Sequence, residues 1–293
     1  MDSRDKMMLS LKQNSNLKIL GRILFSVLGA VLIVVFFESF KIEPNEQTIC
    51  HPQGLECATT SSDLDLPKVD TNAIIKLVTQ KKQEQTKDVF FRSLVGKKLW
   101  GIDISKYQRN INWSLMVRRN KPDFVFVKVS EGTTILDPLY KTHKRNLEKH
   151  NILHGGYHFM SFTSSGRSQA YRFIKHAGLK KGNMVPVLDV EYTSRHLPNK
   201  GKVISEIKSF CTVIEQYYGV KPIIYTHPHL YARYLKGNFD NYPLWLCDYK
   251  NTPRYKWDIW QHTAKARLHG YHGRVDKNVM KSDKNTLGKL VMF

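Results

Sequence analysis

The stretch MVPVLDVE, residues 184–191, sets two carboxylates two positions apart in an apolar run. Successive side chains of an extended chain point to opposite faces, so Asp189 and Glu191 leave the same face together. Neighbouring carboxylates repel, which holds a proton on one and leaves the other ionised. A protonated carboxyl beside an anion suits glycosidic-bond cleavage, where the acid protonates the leaving oxygen and the anion supports a cationic transition state. A divalent-metal site is the competing use of an Asp-x-Glu pair. The positions around this one are Val, Leu and Tyr, without clustered His or Asp ligands, and no CxxC or Cys/His spacing suggests zinc. Neither a metal nor another cofactor is expected. Two more acids stand in short apolar runs: Asp103 in LWGIDIS and Asp276 in RVDKNV. Any one of them could be a loop anchor or a helix cap, but Asp103, Asp189, Glu191 and Asp276 together form a candidate catalytic set.

These carboxylates need a scaffold that gathers strand ends. From residue 98 onward short apolar runs alternate with helix-like stretches. The candidate strands are 99–105, 124–130, 155–160, 184–191, 222–226, 244–249, 258–263 and 274–279, and the candidate helices are 113–120, 139–150, 166–177, 203–218 and 228–235. The strands are near-continuous apolar runs, as a sheet covered on both faces requires. Such a βα repeat closes most simply into a barrel with its working residues at the C-terminal ends of the strands. The last strands follow one another too closely for intervening helices, so an irregular TIM-like β/α barrel is expected.

Charge and hydropathy divide the 293-residue chain further. Residues 1–40 carry a net charge of +2, residues 41–96 carry −1 and residues 97–293 carry +20. Forty-one per cent hydrophobic residues exclude disorder as the dominant state, and four cysteines are too few for a disulfide scaffold. The basic surplus would attract a polyanion: anionic lipid, anionic wall or nucleic acid. No helix-turn-helix, finger spacing or basic run interleaved with aromatics supports specific nucleic-acid binding.

Ile23 to Phe37 is free of charge and follows Arg4, Lys6, Lys12, Lys18 and Arg22. With snorkelling of Lys18 and Arg22 it is long enough to span a bilayer. The competing cleaved signal peptide would need a small-x-small site, and none follows closely. The expected order is a cytoplasmic tail (1–16), a transmembrane signal anchor (17–40), a polar linker or stalk (41–96) and a barrel (97–293). Basic residues ahead of the segment put the N-terminus in the cytoplasm and the barrel on the outer side of the cytoplasmic membrane. Cys50 and Cys57 could then close a local disulfide, whereas Cys211 and Cys247 read as buried small hydrophobes.

GIDISKYQ, DFVFVKVSEG, GGYHF, PVLDVE, PIIYT, LWLCDY, WDIWQHT and HGRVDKNV occur in one order over roughly residues 98–280. The chain in this respect resembles the glycoside hydrolase family 25 lysozymes. The resemblance implies an N-acetylmuramidase that cuts the β-1,4 bond between N-acetylmuramic acid and N-acetylglucosamine in peptidoglycan. It implies Glu191 as general acid and Asp189 as second carboxylate, either activating water or orienting the substrate's own acetamido group, with Asp103 and Asp276 lining the pocket. Tyr157 and Tyr225 match sugar-binding positions, and Trp245 and Trp260 would offer stacking faces unless they are buried in the barrel wall. The basic surface is expected to hold peptidoglycan. The reading from a different class is a catalytically silent peptidoglycan-binding or scaffold protein of the cell envelope.

Overall fold

The structure is a computed structural model that describes residues 70–192 and 198–293. The expected cytoplasmic tail, membrane segment, Cys50–Cys57 loop and most of the expected linker lie outside the described residues. Among the described residues no helix is long and apolar enough to cross a membrane.

The chain alternates helices and strands: α1 (Thr71–Leu94), β1 (Leu99–Ile104), α2 (Trp113–Asn120), β2 (Phe124–Glu131), β3 (Ile135–Leu136), α3 (Tyr140–Lys149), β4 (Leu153–Phe159), α4 (Gly166–Ala177), β5 (Val187–Val190), α5 (Lys200–Tyr218), β6 (Ile223–Thr226), α6 (Pro228–Leu230), β7 (Leu244–Cys247), β8 (Ile259–Ala266), β9 (Val275–Met280) and α7 (Lys284–Leu290). A π-helical turn at Tyr231–Leu235 continues α6. All eight expected strands and all five expected helices are present with small shifts at their ends. β3, a two-residue hairpin arm on β2, and α7 are additional.

Eight strands close into a barrel in the order β1-β9-β8-β7-β6-β5-β4-β2, with β2 pairing back onto β1. Neighbours run parallel except at β9, which is antiparallel to both β8 and β1. The expected irregularity is therefore a reversed strand: too few residues separate β8 from β9 for a crossover helix, so a turn brings the chain back.

Local chemistry marks the helix ends. Asn112, Ser165 and Asn199 cap α2, α4 and α5 by accepting from the backbone N–H three residues on. Gly178 and Gly219 end α4 and α5 in the left-handed conformation. Along the strands, alternation turns Phe124, Phe126, Trp245 and Ile259 into the barrel, where Phe126 and Trp245 lie 4.8 Å apart. Gly101 and Gly155 make room for them, since a Cβ on Gly101 would collide with Phe124 and one on Gly155 would come within 2.6 Å of the Phe126 ring. This aromatic layer fills the barrel below its mouth. Cys211 and Cys247 are both free thiols in buried positions, as their patterns imply.

The folded body begins inside the segment expected to be a linker. α1 exposes Ile75, Leu77, Val78 and Val89, but Phe91 in its last turn is buried against Phe293, 5.0 Å between ring centroids. The early apolar positions Ile75, Leu77 and Val78 stay in solvent, and burial occurs only at the helix's end. With α7 and the C-terminal residues, this turn covers the end of the barrel where the parallel strands start. Phe91→Ala should cost about 3 kcal/mol of unfolding free energy in urea titration of residues 70–293. Val89→Ala should stay within about 0.5 kcal/mol.

Candidate active site

The parallel strands end on one rim, and there a cavity of about 260 Å³ opens. Asp103, Asp189, Glu191 and Asp276 all line it, together with Tyr157, Tyr225 and Trp245. Strand parity explains the grouping. Asp103 on β1 faces Asp276 directly across the β1–β9 ladder, and Asp189 on β5 sits beside Tyr225 on β6. Glu191 follows β5 by one residue and keeps the same parity as Asp189.

Trp260 stands apart from this cavity, contrary to its expected stacking role. Its neighbour Gln261 points inward, so Trp260 points outward, where its indole N–H donates to the Asp248 carbonyl at 2.8 Å and its ring meets Trp257 and His262. Trp245 reaches the cavity wall but is buried and pinned, its N–H donating to Asn278 Oδ1 at 2.9 Å.

A hydrogen-bond web fixes the acids from below. Asn278 and Gln261 each donate an amide N–H to Asp103 Oδ2, at 2.7 and 3.0 Å. Tyr225 and Tyr249 in turn donate to Gln261 Oε1 at 2.8 and 2.9 Å. Around the rim, Asp137 accepts from the backbone N–H groups of Lys106 and Leu139, tying the loop after β1 to the start of α3. Lys128, a cation on the cavity wall, pairs with Glu131 at 2.7 Å and sits 4.5 Å from the Phe159 ring centroid.

Burial and mutual repulsion raise the proton affinity of Asp103, Asp189 and Asp276. Asp103 is pushed up to about 6, chiefly by burial, against the opposing bonds from Asn278 and Gln261. Asp276 rises to about 7 through burial and then the charges of Asp103 and Glu191. Asp189 rises well above the carboxylate range through burial and then the charge of Glu191. Its Oδ1 is buried without a hydrogen-bond partner, an acceptor that a substrate N–H can satisfy. Glu191 is partly exposed, with His227 Nε2 at 3.7 Å from Oε1. Burial also raises the Tyr157 and Tyr225 hydroxyls, so both remain neutral hydrogen-bonding groups.

Gln261, Asn278, Tyr249, Lys128 and His227 were not singled out from the sequence. The two-residue parity that links Asp189 to Glu191 also links Asp276 to Asn278 and would have found that one. His227 begins a column of rings, with His229 at 5.9 Å and Tyr192 a further 5.3 Å away. Beside it a groove of about 670 Å³, bordered by Tyr249, Arg233 and Arg254, extends the mouth. A buried anionic cluster at the end of an open groove can donate and accept protons along a bound polymer. Among the described residues no group of His, Cys, Asp and Glu is arranged to hold a metal ion.

The raised affinities carry a stability consequence. Asp103 and Asp276 bind protons more tightly folded than unfolded, so the stability that their neutral forms contribute is complete below about pH 4. It is lost as pH rises through about 6 to 7. Asp276→Asn should raise the melting temperature at pH 8 by on the order of 5 °C and leave it nearly unchanged at pH 4, as read by calorimetry.

The sequence matches the family described as "Glycosyl hydrolases family 25" over residues 102–271. It is 29% identical over 187 residues to Escherichia coli (strain K12) YegX, described as uncharacterized, covering 61% of this chain and 68% of that one. It is 27% identical to lysozyme M1 of Streptomyces globisporus, covering 61% and 66% of the two chains. Among solved structures it is similar to a family 25 glycosyl hydrolase from Bacillus anthracis (TM-score 0.62, 27% identity, 67% of this chain and 94% of that one). A family 25 lysozyme from Aspergillus fumigatus gives TM-score 0.59 and 26% identity over 67% of this chain and all of that one. The chain belongs to glycosyl hydrolase family 25 and is a peptidoglycan hydrolase of the lysozyme type.

Proposed function

We propose that the protein cuts the β-1,4 bond between N-acetylmuramic acid and N-acetylglucosamine by a substrate-assisted route, with Glu191 as general acid and Asp189 as the orienting carboxylate. The observation that carries this reading is the placement of both carboxylates at one strand end, with Asp189 Oδ1 buried and unpartnered beside the more exposed Glu191. Two carboxylates leaving one strand on the same side have no need to face each other across a sugar ring. The Asp189–Glu191 pair shares one proton, which Glu191 delivers to the glycosidic oxygen as the C1–O bond breaks, leaving Asp189 ionised. The acetamido carbonyl oxygen of the same sugar attacks C1 and closes an oxazolinium ring, while Asp189 accepts a hydrogen bond from the acetamido N–H. A water molecule then gives a proton to the Glu191 carboxylate and attacks C1, which reopens the ring and restores both groups. Asp103 and Asp276, in their ionised forms, place negative charge close to the cationic carbon, and Tyr157 and Tyr225 offer hydroxyls to the sugar.

In the same reading the barrel lies on the outer side of the cytoplasmic membrane, with the N-terminus in the cytoplasm. The charge-free run Ile23–Phe37 behind five basic residues supports this placement.

Residues 70–293 incubated with sacculi should release fragments ending in a hydrolysed N-acetylmuramic acid reducing end, identified by mass spectrometry. Glu191→Gln should lower the rate about 10³-fold and Asp189→Asn by a similar order. Intact sacculi after incubation with a folded protein that sediments with them would instead favour a binding role.

A further inference from the structure

The end of the barrel opposite the mouth carries a net charge of +7 of the barrel's +20, eleven lysines against four aspartates. The mouth collects Asp103, Asp189, Glu191 and Asp276. The opposite end is made by the segments that lead into the parallel strands and follow β9: 97–98, 121–123, 150–152, 178–186, 219–222, 236–243, 256–258 and 281–290. Together they contain eleven lysines and four aspartates. Each aspartate is engaged by a backbone N–H of its own end: Asp123 by Trp100, Asp240 by Gly237, Asp258 by Leu244 and Asp283 by Thr286. Among the described residues only Lys284 of these eleven has a carboxylate partner, Asp88 at 3.6 Å. Lys97, Lys98, Lys256 and Lys289 are exposed.

Indoles border the same end. Trp100 opens β1 and Trp257 precedes β8, both partly exposed, with Lys277 Nζ 4.4 Å from the Trp100 ring centroid and Lys281 Nζ 4.6 Å from that of Trp257. Trp260 lies 6.0 Å from Trp257 on the outer face of the sheet, but its indole turns up to the Asp248 carbonyl, so Trp100 and Trp257 are the indoles at this end. A glycan strand being cut lies across the mouth, roughly 20 Å away along the strands, out of reach of these lysines. Unpaired ammonium groups fringed by indoles match a bilayer surface instead: lysines are drawn to the diffuse negative potential of anionic headgroups, and tryptophans settle at headgroup depth.

We propose that the closed end of the barrel docks on an anionic phospholipid surface and turns the mouth away from it. The inference uses neither the N-terminal segment nor the catalytic assignment. Residues 70–293 suffice to test it: they contain the whole barrel and its floor, and similar barrels make up 94% and 100% of two solved chains.

The test is sedimentation with vesicles of three parts phosphatidylcholine to one part phosphatidylglycerol, against pure phosphatidylcholine. The protein should bind the mixed vesicles at low salt, release at about 0.5 M salt and ignore the neutral ones. Replacing Lys97, Lys98, Lys256 and Lys281 by Glu should weaken binding at least tenfold, with hydrolysis of soluble glycan fragments unchanged as the sign of an intact fold. The milder Lys→Gln set should weaken binding less, in the same direction. The same number of reversals on the outer helices, Lys141, Arg145, Arg167 and Lys175 to Glu, should leave binding within twofold. Equal losses from both sets, failure to bind the mixed vesicles, or binding to sacculi without binding to vesicles would each overturn the proposal. Because hydrolysis is read on the same samples, a wild-type protein that binds vesicles but cuts nothing would count against the catalytic reading alone.

Discussion

Asp103 and Asp276 sit opposite each other on paired strands, a position where like charges repel, inside a pocket that also holds Asp189 and Glu191. Holding four carboxyl groups this close is the constraint around which the upper half of the barrel is built. β9 runs against its neighbours, and this reversal sets Asp276 and Asn278 level with Asp103 and Gln261. Asn278 and Gln261 then place two amide N–H groups on one Asp103 oxygen, while Trp245, Tyr225 and Tyr249 hold the far ends of those amides. Every member of that web has its partner, which is the condition under which a buried polar network rigidifies a site. Asp189 Oδ1 is the exception, and it faces the place where substrate chemistry would occur.

The layer beneath keeps this cluster dry and separates the two ends of the barrel. Gly101 and Gly155 give up side chains so that Phe124 and Phe126 can fill the interior against Trp245. Low dielectric below the site sustains the raised proton affinities of Asp103, Asp189 and Asp276, so a residue such as Phe126 shapes the chemistry without touching a sugar. The same plug separates the four carboxyl groups of the pocket from the lysines of the floor.

Much of this was legible from apolar runs and parity. Eight strands and five helices follow from the apolar runs, and parity puts Asp189 and Glu191 on one side; grouping Asp103 and Asp276 with them rests on their places in short apolar runs and on the family resemblance. The direction of β9 was not legible, because an extended run carries no sign of which way it enters a sheet; only the shortness of the connection hinted at an irregularity. Trp260 illustrates a different limit. Its type suggested a sugar platform, but the inward parity of Gln261 decides its side, and an uncharged glutamine attracts little notice in a sequence. α1 was hidden because its conspicuous apolar residues, Ile75, Leu77 and Val78, are the exposed ones, whereas Phe91 at its end does the packing.

In the proposed route Asp189 and Glu191, leaving one strand side by side, work with the substrate's acetamido group. Such a route displaces twice at C1 and returns the original configuration, whereas a water activated directly by Asp189 would invert it. Proton NMR of the reducing end, recorded before mutarotation, separates the two. Initial formation of the β-anomer of N-acetylmuramic acid is the predicted result, and initial formation of the α-anomer would contradict the account.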